Sequence, residues 1–313
     1  MFKNVVLSGV VVLFCTAVCA EDKISVPQKL QTACVTVKDD YRDRGSGVVI
    51  TNEVDGKRVH WILTVEHVVD GFREVKTVIG PKGEERKKVS YRSPVVAFEE
   101  REATRYAGKT LLEAEVVSAD GERDLALLRV QKTDRIKGSI FIFKGKDTPA
   151  VGTDLYHCAS PGGDSNAASL TAGIICQHGR VFEREGFGKC EYDQMDAAGL
   201  PGSSGGMVCL KSNGELIGLV SLGMRNTDNF HYFVPVRTIK EWLKEIKAEW
   251  LLDPKAKITE ADVKKIPLEL TGLDLDDEEK PTPAKKKEQE EPKLEIAPAV
   301  ISESADFIRV DLN

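Results

Sequence analysis

Three stretches of this chain carry residue types that together could activate a hydroxyl against a carbonyl carbon. Pro201-Gly202-Ser203-Ser204-Gly205-Gly206 sets a serine in a glycine-rich turn just ahead of an apolar run, Met207-Val208-Cys209-Leu210. Glycines there permit backbone conformations that a side chain forbids, so the N–H groups of Gly202 and Ser204 could converge on one oxyanion. Trp61-Ile62-Leu63-Thr64-Val65-Glu66 runs straight into His67, and the polar turn Asp120-Gly121-Glu122-Arg123 delivers Asp124 to the head of Leu125-Ala126-Leu127-Leu128. A serine nucleophile, a histidine base and an aspartate to orient it make a complete set for acyl transfer. Each has a plainer reading alone: a serine-glycine turn is an ordinary hairpin and an aspartate is a turn former. A lone histidine is usually structural, and His60, His157, His178 and His231 take that reading.

The elements that must hold these groups are short and β-rich. Between Lys29 and about Val236, apolar runs such as Cys34-Val35-Thr36-Val37, Gly47-Val48-Val49-Ile50 and Leu216-Ile217-Gly218-Leu219-Val220 alternate with polar turns. They are too short for buried helices and rich in Val and Ile, which predicts an all-β fold. From Arg237 to Trp250 the period changes, and Ile239, Trp242, Leu243 and Ile246 fall on one face of a closing helix. Residues 80 to 110 are interrupted by charges and are expected to form a long solvent-facing insertion. The segment 251–273 is a short extension with a helix through Thr259 to Lys265. The tract 274–313 is expected to be a flexible charged tail: from Asp274 to Glu295 it holds nine acidic and five basic residues. Within it, Phe307-Ile308-Arg309-Val310 is apolar enough to dock as a peptide or add to a sheet edge.

Composition narrows the function classes. The 313 residues carry a formal net charge of -6, of which the charged tract accounts for most, so no basic footprint for nucleic acid is present. Residues 1–20 have a secretory pattern: Lys3, an apolar run from Val5 to Val18, and a small residue at Ala20, after which cleavage is expected. The run is short of the roughly 20 residues needed to cross a bilayer, so no stable membrane anchor is expected after cleavage. Export makes disulfides possible among Cys34, Cys158, Cys176, Cys190 and Cys209. Their odd number leaves at least one free or paired between chains, and small buried hydrophobes remain an equal reading. None has metal-site spacing, and neither metal nor cofactor is expected.

With these residues in view, the sequence resembles the trypsin-like serine proteases, and within them the bacterial Deg/Htr branch of secreted quality-control proteases. The resemblance runs from about Ala33 to Trp242. It rests on Gly45-Ser46-Gly47-Val48-Val49-Ile50, Leu63-Thr64-Val65-Glu66-His67-Val68-Val69, Asp124-Leu125-Ala126-Leu127-Leu128, Thr171-Ala172-Gly173-Ile174-Ile175, Asp196-Ala197-Ala198, Gly202-Ser203-Ser204-Gly205-Gly206 and Phe233-Val234-Pro235-Val236. It implies two packed six-stranded antiparallel β-barrels within a protease domain at 28–250, the first barrel over about 28–135, the second over about 150–236, and a closing helix at 237–250. It further implies a triad of His67, Asp124 and Ser204, an oxyanion hole at Gly202 and Ser204, and polypeptide substrates in a secreted or periplasmic setting. Gly199 and Leu200 resemble a pocket wall, and Val220, Ser221, Leu222 and Gly223 the strand that pairs with extended substrate. With no acidic residue at the pocket base, cleavage after small or medium aliphatic residues is expected. Glu66 stands where the family has a small residue, which keeps open a second reading, a catalytically impaired module that binds peptides or partners. In a third, the tail makes the chain an adaptor. Ser203 replaces the usual Asn or Asp, which excludes a zymogen switch of the digestive kind. The residues after Asp253 are too few and too polar for the branch's PDZ domain, and the assembly state is left open.

Overall fold

The computed structural model describes residues 24–39, 42–81, 83–102, 105–130, 133, 135–145, 148–184, 188–224, 230–270 and 308–310. The expected signal segment lies outside the described residues, as does the charged tract apart from 308–310. Among the described residues no helix is long and apolar enough to cross a membrane.

Chain order begins with a helix that the run of strand signals obscured. Ser25 accepts from the Gln28 N–H while the Gln28 side chain accepts from the Ser25 N–H, a capping box that starts α1 (Val26–Ala33). The first half then comprises β1 (Cys34–Lys38), β2 (Asp43–Val54), β3 (Lys57–Thr64), α2 (Glu66–Val69), β4 (Arg73–Ile79), β5 (Glu85–Tyr91), β6 (Val95–Glu102), β7 (Arg105–Asp120) and β8 (Leu125–Val130). The second half comprises β9 (Asp154–Ala159), β10 (Ser169–Arg184), β11 (Gly188–Met195), β12 (Met207–Leu210), β13 (Leu216–Met224) and β14 (His231–Pro235). Then follow α3 (Val236–Glu245), β15 (Lys257–Ile258), α4 (Glu260–Val263) and β16 (Ile308–Val310).

Six antiparallel strands make each main sheet. The first runs β1-β6-β7-β8-β3-β2 and closes through β1–β2 pairing; the second runs β12-β9-β10-β11-β14-β13 and closes through β12–β13. Closure leaves few open edges. Each sheet gains one short parallel strand, β15 beside β2 and β16 beside β13. The all-β expectation is met. The long insertion expected at 80–110 is not: β6 and β7 are members of the first sheet, with Val96, Ala97 and Phe98 buried. Among the described residues only the two-stranded ribbon β4–β5 stands apart. Charges on the outward positions of β7 had hidden the inward alternation of Ala114 and Val116.

Both sheets contribute to one continuous core. The connection between them is shared: Ile140 donates its N–H to Val49 of the first sheet, while Leu216 of the second accepts from Phe143 N–H and donates to Phe141 O. The closing helix appears as α3, burying Val236, Ile239, Trp242 and Leu243. Arg237 fixes it to Asp193 of β11 at 2.7 and 2.8 Å. The segment after α3 returns to the first sheet. There Trp250 meets Trp61 edge-on at 4.9 Å between centroids, worth about 0.5–1.5 kcal/mol beyond area burial. Arg73 holds Glu269 with two hydrogen bonds at 2.6 and 3.0 Å. All five cysteines between Cys34 and Cys209 are free thiols, and all but Cys176 are buried. Hydrogen bonding to Cys34, together with burial, pushes the Cys158 thiol up, and burial does the same for Cys209.

Candidate active site between the two sheets

Asp124 sits where β7 turns into β8, in the left-handed region at φ 55°. A non-glycine residue there is uncommon and costs on the order of 1–3 kcal/mol. The conformation places a fully buried carboxylate under α2, where three donors meet it. Its Oδ1 accepts from the His67 N–H at 3.1 Å, both oxygens lie 3.0 Å from His67 Nδ1, and the Ser221 hydroxyl donates to Oδ2. With an ionised carboxylate as acceptor, a neutral imidazole here carries its proton on Nδ1 and leaves a lone pair on Nε2.

Ser221 reaches Asp124 because of a bulge. In the β13–β14 ladder Val220 pairs with Phe233 and Leu222 with Tyr232, leaving Ser221 opposite nothing. Such an extra residue re-aims a side chain, here across the gap between the sheets. Ser221 lies within β13, the strand expected to pair with substrate, and its hydroxyl in addition supports the aspartate.

The serine turn is braced from the first sheet. Ser46 donates its N–H to the Ser204 carbonyl at 2.7 Å and its hydroxyl to the Gly202 carbonyl at 2.7 Å, while that hydroxyl accepts from Ser160 N–H at 2.8 Å. Thr64 fixes the Ser46 carbonyl in turn. From the other side, Gly205 N–H donates to Val220 O and Val220 N–H to Gly206 O. Both glycine requirements are steric. Gly202 has φ 93° and a Cβ there would stand 2.6 Å from Ser160 O; Gly205 has φ 79° and its Cβ would meet Ser46 O at 2.1 Å. Among the described residues, neither Gly202 nor Ser204 donates its N–H to a backbone acceptor. Ser204 Oγ and His67 Nε2 are both buried, and neither makes a hydrogen bond.

Around these groups, Gly199 packs against His231, whose ring would lie 3.1 Å from a Cβ there. Leu200 is 60% exposed, whereas Leu222 is buried. Beneath Gly199, His157 is buried, bonds the Ala198 carbonyl, and has its pKa lowered to about 4 by burial. Asp196 caps the neighbouring strand by accepting from Ile174 N–H at 2.7 Å. Glu66 is buried at the start of α2. Its charge contributes to raising the Tyr91 phenol, after burial and the hydrogen bond to Glu269. Glu269 stays below the usual carboxylate range: burial opposes this, and its bonds to Arg73 and Tyr91 outweigh burial. No group of three or more His, Cys, Asp or Glu suited to a metal ion occurs among the described residues.

The description "Trypsin-like peptidase domain" matches residues 45–219, more than half of the chain. The chain belongs to the trypsin-like peptidase family. Curated relatives include a probable periplasmic serine endoprotease DegP-like from Ectopseudomonas mendocina, 30% identical over 159 residues, covering 50% of this chain and 32% of that protein. A serine protease Do-like HtrA from Lactobacillus helveticus is 28% identical over 190 residues, 59% of this chain and 37% of that protein. The chain thus spans about a third of the length of the curated relatives it matches. Among solved structures, an HtrA-type protease, AlgW with tripeptide, superimposes with a TM-score of 0.51 at 20% identity, covering 71% of this chain and 62% of that one. An inactive serine-to-alanine form of Rv3671c from M. tuberculosis gives 0.52 at 19%, covering 72% and 91%. At these identities the structures speak for the fold, which is that of the trypsin-like peptidases.

Proposed function

We propose that this chain is an exported serine endopeptidase that hydrolyses peptide bonds of unfolded or extended polypeptides. The observation that carries the reading is the buried Asp124 carboxylate, bonded at once to His67 Nδ1, the His67 N–H and Ser221. A purely structural aspartate has no need of a histidine whose second nitrogen is left buried and unbonded.

In this reading Ser204 Oγ attacks the scissile carbonyl while His67 Nε2 takes its proton. Asp124 holds the tautomer and stabilises the imidazolium that forms. The N–H groups of Gly202 and Ser204, uncommitted elsewhere, receive the oxyanion. His67 then protonates the leaving amine, and water repeats the sequence to release the acyl group from Ser204. The His67–Ser204 hydrogen bond forms as substrate fills the site, as such bonds often tighten only in the complex. Substrate lies extended along Leu222 and Gly223, with its side chain directed past Gly199 and Leu200, so small or medium aliphatic residues are preferred. Export through residues 1–20, with cleavage after Ala20, accords with the periplasmic naming of the DegP-like relatives.

The test is casein cleavage by the protein from Glu21 onward beside Ser204→Ala, together with labelling by a serine-reactive fluorophosphonate. Loss of both in the variant is expected, with a rate reduction of roughly 10⁴-fold or more. A wild-type protein that neither cleaves nor labels would overturn the endopeptidase reading and favour a peptide-binding module built on the same cleft.

A further inference from the structure

The second sheet closes by pairing β12 with β13, but that pairing covers only the first part of β13. Met207 faces Leu219 at its last rung, and beyond Val220, whose backbone groups bond Gly206 and Gly205, β13 has an open edge. That edge begins one residue past Ser221, the serine that holds Asp124. It is occupied. Ile308, Arg309 and Val310 pair with Leu222, Gly223 and Met224 as the parallel strand β16.

We propose that residues 308–310 are a self-held ligand of this edge, which excludes polypeptide substrate from it until the segment leaves. The inference rests on the substrate path assigned above. An acyl segment whose carbonyl is at Ser204 and whose body lies along β13 away from Ser221 must run antiparallel to β13. The tail runs parallel, so it takes the same backbone positions with reversed polarity and brings its N-terminal end toward the triad. It therefore blocks the edge without offering a carbonyl in the sense that cleavage requires. Attachment makes so short a strand effective. Leu268 O and Glu269 fasten the chain to Ala119 and Arg73, beside the aspartate turn. The 37 residues between Leu270 and Ile308 have a contour length on the order of 120 Å. Tethered ligands reach effective concentrations of roughly millimolar, enough for a weak three-residue pairing to persist and to yield when a longer substrate competes.

The test compares the chain from Glu21 to Asn313 with the same chain carrying Ile308→Pro and Val310→Pro, since proline removes strand donors and resists the ladder. Three readouts are taken: kcat and KM for a short fluorogenic peptide, the fluorophosphonate labelling rate, and fluorescence anisotropy of a labelled synthetic peptide spanning residues 301–313. The variant is expected to show kcat/KM raised roughly two- to tenfold, mainly through KM, faster labelling, and tighter capture of the synthetic peptide than the wild type. Equal kinetics in the two chains together with equal peptide binding would overturn the proposal. If neither chain is labelled, the protease reading fails, yet anisotropy still decides this one: stronger binding to the variant supports it and no difference refutes it.

Discussion

Ser46 offers the sharpest probe of how the two sheets set up the serine turn, because one small side chain joins both. Replacing it by alanine removes the hydroxyl that donates to Gly202 O and accepts from Ser160 N–H, at 2.7 and 2.8 Å. Both groups are buried, and no water-facing alternative exists for either. Each unsatisfied group costs about 1–3 kcal/mol, so a loss of about 2–6 kcal/mol in unfolding free energy is expected, a large share of the usual 5–15 kcal/mol reserve. The bond from Ser46 N–H to Ser204 O survives, so the serine stays near its place. What loosens is the peptide at Gly202, which flanks both proposed oxyanion donors. Full loss of one such donor costs about 10²–10³ in kcat; loosening it should cost about 10- to 100-fold, with KM moving less. Urea unfolding measures the first effect, and peptide hydrolysis with fluorophosphonate labelling the second. A variant that is destabilised as expected but labels at the wild-type rate would show that the brace is structural only. One unchanged in both would refute the energetic reasoning itself.

Gly202→Ala should be more severe, because a Cβ would stand 2.6 Å from Ser160 O at a φ of 93°; activity loss of about 100-fold or more with folding retained is expected, read by circular dichroism beside hydrolysis. Acid should destabilise the protein through His157. Its folded pKa, about 4, lies below the free value of 6.5, so its stabilisation is complete above 6.5 and is lost as pH falls from there to 4. The size is on the order of 3 kcal/mol, and urea midpoints between pH 7 and pH 4 should flatten in His157→Gln.

Much of this site was legible because apolar strands end at its chemistry. β3 leads to His67 and Asp124 heads β8, and both strands are adjacent in one sheet, so their residues meet. The serine turn was legible from its glycines, each of which the fold requires. The bond from Ser221 to Asp124 was not legible, since nothing in Leu219-Val220-Ser221-Leu222 signals a bulge; that register is set only by pairing with β14. The brace at Ser46 was similarly hidden, as a small residue in a strand looks the same whether it faces a partner strand or another sheet. The supposed insertion failed for a different reason: a half-exposed strand with long charged side chains on its outer face reads as loop when the whole segment is averaged. Helix α1 had its signal, Ser25 followed three residues later by Gln28, with Pro27 between. The surrounding strand pattern outweighed it.

The two ends of the folded region change sides. Helix α1, which precedes the first sheet, bonds Ala168 of the second half through Gln31 and packs Leu30 beside Gly214. The segment following the second sheet crosses back, laying Trp250 on Trp61 and β15 against β2. Neither half is therefore complete when its own strands are made. During synthesis the first sheet waits for residues near 250–269, and the second holds an arm that emerged before any of its strands. Cutting the chain in the 131–150 connection should yield fragments that fold only when mixed, and the intact protein should melt in one transition. The clasp that ties assembly to completion also ensures that the cleft, lined from both sides, exists only in a chain that has finished folding.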